Sequence, residues 1–245
     1  IILCADDPGA LELRGRLRRR VLTYGTSPVA DLRLELIAAD AKGTEVQVLH
    51  GGRELGSVFV SLPGAHNALN AGAALLAGLE LGLDFESLAT ACGTFAGVAR
   101  RFEVRGERRG VTVVDDYAHH PTEITAVLEA ARQAMPGRRV VAVFQPHLFS
   151  RTREFAHGFA EALLGAEVAV ILPIYPARER LIEGVTAQLV VDEAKRLGHP
   201  MVVAGSAGEE ILRELEGLLE TGDVLLTLGA GDVDRIGNEW LEVAS

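Results

Sequence analysis

Five apolar runs rich in β-branched residues recur through the second half of the chain, at Val111–Val114, Val140–Phe144, Val168–Ile174, Met201–Ala204 and Val224–Leu228. Segments with helical character follow them in alternation, near 121–135, 151–164, 186–197, 207–220 and 233–243. A strand that reads as a continuous apolar run is buried on both faces, and parallel strands need helical crossovers to connect them. The pattern predicts an open α/β sheet, mostly parallel, with helices on both faces.

The first hundred residues follow a different grammar. Residues 1–24 read as strand, helix, strand, with the helix over Leu11–Arg20. Short runs at Leu32–Ala38, Val46–Leu49 and Val58–Val60 are separated by Lys42-Gly43 and Gly51-Gly52, which suits antiparallel hairpins. Asn67–Leu81 and Phe85–Phe95 carry the spacing and alanine content of two packed helices. We place the boundary between the two parts near Arg105-Gly106.

Composition excludes several classes. The formal charge of −10 argues against a nucleic-acid surface, which calls for a basic stripe. The five arginines between Arg14 and Arg20 read instead as a solvated helix face. No run approaches the roughly 18 to 20 apolar residues of a membrane span. Cys4 and Cys92 are too few for a disulfide framework and read as buried thiols in a cytoplasmic protein. The chain opens on Ile1 within an apparent strand, so a piece of a longer protein is expected.

In open α/β sheets ligands bind beyond the carboxyl ends of the strands, and the polar residues of the second half gather there. They are Asp115 to Pro121 after the first run, Gln145 to Thr152 after the second, Tyr175 to Glu179 after the third, and Gly229 to Asp232 after the fifth. Asp115 and Asp116 have a second reading as caps of the following helix. Of the adjacent His119 and His120, alternation allows one to face a ligand. No third residue at helical spacing makes them a metal site. His147 and Arg151 are four apart, and an imidazole with a guanidinium fork suits a carboxylate or phosphate. Gly229-Ala230-Gly231 reads either as an anion cradle before a helix or as a tight turn. A phosphate loop of the Walker type needs lysine after glycine, and the two lysines, Lys42 and Lys195, each follow alanine.

The run DDYAHHPTE at 115–123 resembles the opening of the C-terminal domain in the Mur ligase family, in the branch that adds L-alanine. FQPHLFSRT (144–152), HNALNAGAA (66–74), GVARRFE (97–103) and IYPARE with Gly184-Val185 are similar to further signatures, and ILCADDPG (2–9) resembles a segment of the central domain. The resemblance spans the chain and implies residues 1–105 as the last part of a central ATPase domain and 106–245 as a Rossmann-like C-terminal domain. It implies ligation of L-alanine to UDP-N-acetylmuramate through an acyl phosphate, with ATP and magnesium, in cytoplasmic peptidoglycan precursor synthesis. The magnesium ligands and an N-terminal half would lie outside this sequence, and the chain alone is expected to be inactive. By resemblance, Asn67 and Asn70 contact adenine, Arg101 the ribose, and Tyr117 flanks the nucleotide. Asp116 and His119 serve the chemistry, while His147 and Arg151 complete the L-alanine pocket, with Arg151 on its carboxylate. The helix-capping reading of the two asparagines stays open beside this one. Alternatives are a murein tripeptide ligase of cell-wall recycling or a non-catalytic binding module. A dinucleotide oxidoreductase is disfavoured, because no GxGxxG follows a strand.

Overall fold

The computed structural model describes residues 1–40 and 42–242. The chain divides into two compact units, Ile1–Gly97 and Val98–Ser245.

The first unit holds a five-stranded mixed sheet in the order β1 (Ile2–Cys4), β2 (Leu22–Gly25), β3 (Leu32–Asp40), β4 (Gly43–His50), β5 (Arg53–Val60). The first three strands run parallel, and β3, β4 and β5 form the expected antiparallel hairpins. Gly51 and Gly52 both have positive φ (57° and 80°), which a tight two-residue hairpin demands and glycine supplies without steric cost. Helix α2 (Ala65–Glu80) lays Ala68, Leu75 and Leu76 on Leu32, Leu34, Val46, Val48, Val58 and Val60. Helix α3 (Phe85–Thr94) adds Phe85, Leu88 and Ala89 to the edge of that core. Helix α1 (Pro8–Arg14) is shorter than expected: Asp7 caps its start with Pro8 in the first turn, and it ends before Gly15. The arginines 16 to 20 are solvated but lie beyond the helix. Cys4 and Cys92 are half-buried rather than fully enclosed.

The second unit is a six-stranded sheet in the order β10 (Val202–Ala204), β9 (Val168–Ile171), β8 (Val140–Phe144), β11 (Val224–Leu228), β7 (Val111–Asp116), β6 (Glu103–Arg108). All pairings are parallel except β6 with β7. The doubly buried runs have the predicted origin. Val140, Ala142 and Phe144 face one core with α4 (Pro121–Ala134), α5 (Phe149–Leu163) and α6 (Gln188–Arg196). Val141 and Val143 face the other core, with α7 (Glu209–Leu218) and α8 (Asp234–Glu242). Residue 243 of the expected last helix lies outside the described residues.

Strand β6 was not expected, and the boundary placed near Arg105-Gly106 falls inside it. Its residues EVRGER alternate charge with little apolar content, as an edge strand half open to solvent does. The division between the compact units comes earlier, between Gly97 and Val98.

Register sets up the site. Leu228 pairs with Asp116 on one side and with Phe144 on the other, and Phe144 pairs with Ile171. The carboxyl ends of β7, β11, β8 and β9 are therefore level. Beta-11 inserts between β7 and β8, so connections diverge at that point, where α/β sheets form their crevice.

Candidate functional site

Asp115 and Asp116 end β7, and both are about 1% exposed. Neither caps α4. Asp115 pairs with Arg100 (Nε to Oδ2, 2.9 Å) and accepts a hydrogen bond from the Thr227 hydroxyl at 2.6 Å. Asp116 accepts from the backbone N–H of Phe102 at 2.8 Å and of Ala118 at 2.7 Å. Burial pushes its carboxyl up to about 6, against the pull of those two N–H donors and of Arg101. Asp116 thus ties the backbone of Phe102 to that of Ala118.

Arg100 went unremarked in the sequence, although it organises this region. Its guanidinium donates to the carbonyls of Gly229 (2.6 Å) and Gly231 (3.0 Å) as well as to Asp115, and lies 5.2 Å from the Tyr117 ring centroid. Its backbone sits at φ 60°, held by Glu103 on its N–H and by the Tyr117 N–H on its carbonyl. Gly229-Ala230-Gly231 is therefore a turn whose carbonyls face a cation, and the anion-cradle reading is set aside. Tyr117 itself is 38% exposed, and the Arg101 guanidinium lies 5.9 Å from its ring. Arg101 belongs to the second unit with Tyr117, although the sequence reading assigned it to the first part.

The paired histidines separate as alternation predicts. His120 caps α4, accepting from the Thr122 N–H, with Glu123 completing a capping box and Phe155 packed edge-on at 5.0 Å. His119 turns the other way, with its ring 6.1 Å from that of His147. Its Nδ1 lies 2.9 Å from the Tyr117 carbonyl oxygen, which only accepts. Neutral His119 therefore carries its proton on Nδ1 and its lone pair on Nε2.

The loop after β8 is tied to the loop after β9. His147 and Tyr175 form a parallel bridge, Leu148 N–H donates to the Tyr175 carbonyl (2.9 Å), and Tyr175 N–H donates to Pro146 (2.8 Å). The His147 and Tyr175 rings stack 5.7 Å apart. Ser150 donates through its N–H (2.9 Å) and its hydroxyl to Glu179, which holds that carboxyl below its usual range. His147 precedes α5, whose cap is Leu148 at φ 70°, and Arg151 occupies the first turn. His147 is held below its usual value by burial, then by the charges of Arg151 and His119. His119, His147 and Arg151 are thus brought together beyond the ends of β7 and β8, the two strands that flank β11.

In the first unit, Asn67 is buried and donates to the Pro63 carbonyl at 2.8 Å, while Asn70, one turn on, is exposed. The helix cap is Gly64, with no side-chain bond, so neither asparagine caps α2. Of the two, Asn70 has its carboxamide open to solvent. Among the described residues, no group of three or more His, Cys, Asp or Glu side chains could hold a metal ion, and no helix is long and apolar enough to cross a membrane.

Comparison with known proteins places the chain in a family. The Mur ligase middle domain matches residues 1–78, and the Mur ligase glutamate ligase domain matches residues 100–231. A UDP-N-acetylmuramate–L-alanine ligase of Salinibacter ruber is 45% identical over 242 residues, covering 99% of this chain and 51% of the relative. One of Streptomyces griseus is 45% identical over 246 residues, covering 99% and 52%. The chain spans about half the length of the curated relatives it matches. Among solved structures, a UDP-N-acetylmuramate–alanine ligase from Thermotoga maritima superposes with a TM-score of 0.73 at 28% identity, over 90% of this chain and 47% of that one. The fold is shared by a MurF ligase from Thermotoga maritima in complex with ADP, with a TM-score of 0.72 at 21% identity, over 98% and 52%. Matched by family domains over most of its length and closely similar to its alanine-adding members, the chain belongs to the Mur ligase family.

Proposed function

We propose that this chain is part of an ATP-dependent ligase that joins L-alanine to UDP-N-acetylmuramate in cytoplasmic peptidoglycan precursor synthesis. In this reading the second unit recognises the amino acid. Tyr117 offers an exposed ring to the nucleotide, and Arg101 beside it suits a ribose hydroxyl or a phosphate.

The observation that carries the reading is that His119, His147 and Arg151 come together beyond the ends of β7 and β8. An amino acid arrives with a carboxylate and an amine. Arg151 in the first turn of α5 suits the carboxylate, helped by the helix N-terminus. The amine lone pair forms the new C–N bond at the activated carbonyl, phosphate leaves with the electrons of the broken C–O bond, and one N–H proton must depart. A neutral imidazole can take such a proton, and burial beside Arg151 keeps His147 neutral at pH 7.

Titration calorimetry on the 245-residue chain tests this with L-alanine and with propionate, which keeps the carboxylate and lacks the amine. Both should bind, and Arg151→Ala should weaken both by at least about tenfold, the range of a charge-assisted pair. A chain that binds neither, or an Arg151→Ala variant that binds both unchanged, removes the amino-acid pocket.

A further inference from the structure

Buried polar atoms are nearly always hydrogen-bonded, so those that are not point to something that completes them. Among the described residues, Gln145 Oε1, His147 Nδ1 and Arg151 Nη1 are buried without a partner, and all three come from the stretch 145–151. The other unpartnered nitrogens belong to Arg33, Arg105 and Arg108, whose guanidinium groups are already ion-paired, and to the lone indole of Trp240, which packs under Arg108. The cluster at 145–151 differs: it combines an acceptor, an imidazole nitrogen and a cationic donor at the end of one strand.

Gln145 is the member that sequence reasoning passed over. Its Nε2 donates to the Asp232 carboxylate at 2.8 Å, and a carboxylate only accepts. Asp232 therefore fixes the amide so that Oε1 turns away from it. The space beside Oε1 is kept open by Gly231. A β-carbon there would lie 2.8 Å from the Tyr175 ring and closer still to Oε1 itself. Tyr175 in turn stacks on His147. Asp232, Gln145, Gly231, Tyr175 and His147 form one connected set, reaching from the loop after β11 to the loop after β8.

We propose that Gln145 is a specificity-determining residue: its carboxamide oxygen, oriented by Asp232, accepts a hydrogen bond from the α-ammonium group of the amino acid whose carboxylate Arg151 binds. This rests on the amino-acid pocket proposed above. The division of labour follows from chemistry, since an ammonium group has donors only and a carboxylate acceptors only. Arg151 reads the acid and Gln145 reads the amine, so a molecule bearing one group alone satisfies half of the site.

The experiment compares L-alanine with propionate, by calorimetry, on the 245-residue chain and on Gln145→Met, which keeps the volume and removes the acceptor. The parent chain should prefer L-alanine by at least about tenfold, the range of a hydrogen bond to a charged group. In Gln145→Met that preference should vanish while propionate binding holds, which also reports an intact fold. Should Gln145→Met not fold, Asp232→Asn gives the same reading, because a carboxamide no longer dictates the orientation of Gln145 and the preference should fall several-fold. Equal affinity of the parent chain for the two ligands overturns the inference, as does a preference that survives in the variant or a parallel loss of both ligands in a folded variant. Each of these leaves the pocket itself standing. A parent chain that binds neither ligand removes both.

Discussion

The carboxyl of Asp116 gives a pH dependence that can be isolated from every other titrating group. It is about 1% exposed, and burial raises it from 3.8 to about 6 although two backbone N–H groups and Arg101 pull the other way. A group whose folded value lies above its unfolded one stabilises the fold below the unfolded value, and that contribution is lost as the pH rises through the folded one. The window therefore runs from pH 3.8 up to about 6. A gap of about two units corresponds to about 3 kcal/mol, at about 1.4 kcal/mol per unit. In Asp116→Asn that term disappears. The carboxamide has one acceptor for two donors, the N–H groups of Phe102 and Ala118, so one bond is lost at a constant cost of about 1–3 kcal/mol. The variant should be clearly weaker than the parent at pH 4 and draw level with it or overtake it by pH 7. Trp240 is the single tryptophan, is buried in the second unit, and reports its unfolding by fluorescence in urea. Subtracting the two profiles cancels all shared titrations. A parent-minus-variant difference that stays flat from pH 4 to 7 refutes the reasoning.

Three further outcomes follow from neighbouring geometry. Arg100→Ala leaves buried Asp115 with only its longer pair to Arg105 (3.7 Å) and should cost about 1–3 kcal/mol by the same fluorescence assay; Arg100→Lys should recover little, since a single ammonium cannot replace the fork that reaches Asp115, Gly229 and Gly231 together. His199 is buried between the Leu163 carbonyl and the Met201 N–H, and burial lowers its value. The unfolded chain takes up a proton near 6.5 that the fold resists, so stability should fall as the pH drops below 6.5, and less so in His199→Gln. Gly231→Ala should destabilise the second unit by about 1–3 kcal/mol, read as a shift in the urea midpoint, because the new methyl meets the Tyr175 ring and Gln145.

The two halves of the chain were legible to different depths, and the reason is physical. Strands β7, β8, β9 and β11 are buried on both faces, so most of their residues contribute to an apolar run visible in one dimension. Beta-6 has one open face, and its alternating charges carry no such mark. The site divides along the same line. His119, His147 and Arg151 could be picked out because titratable residues after a buried strand have few structural reasons to be there. Arg100 and Gln145 could not, since their significance lies in partners far along the chain: Asp115, Gly229 and Gly231 for the first, Asp232 for the second. A capping box at His120 and a capping role for Asp116 look alike in sequence, and only the backbone decides between them. Residues that titrate are thus easier to read than those whose role depends on partners far along the chain. In this unit loss of a buried ion such as Arg100 or Asp116 should change stability, whereas loss of Arg151, bonded to nothing in the described chain at Nη1, should change binding and leave the fold nearly as stable as before.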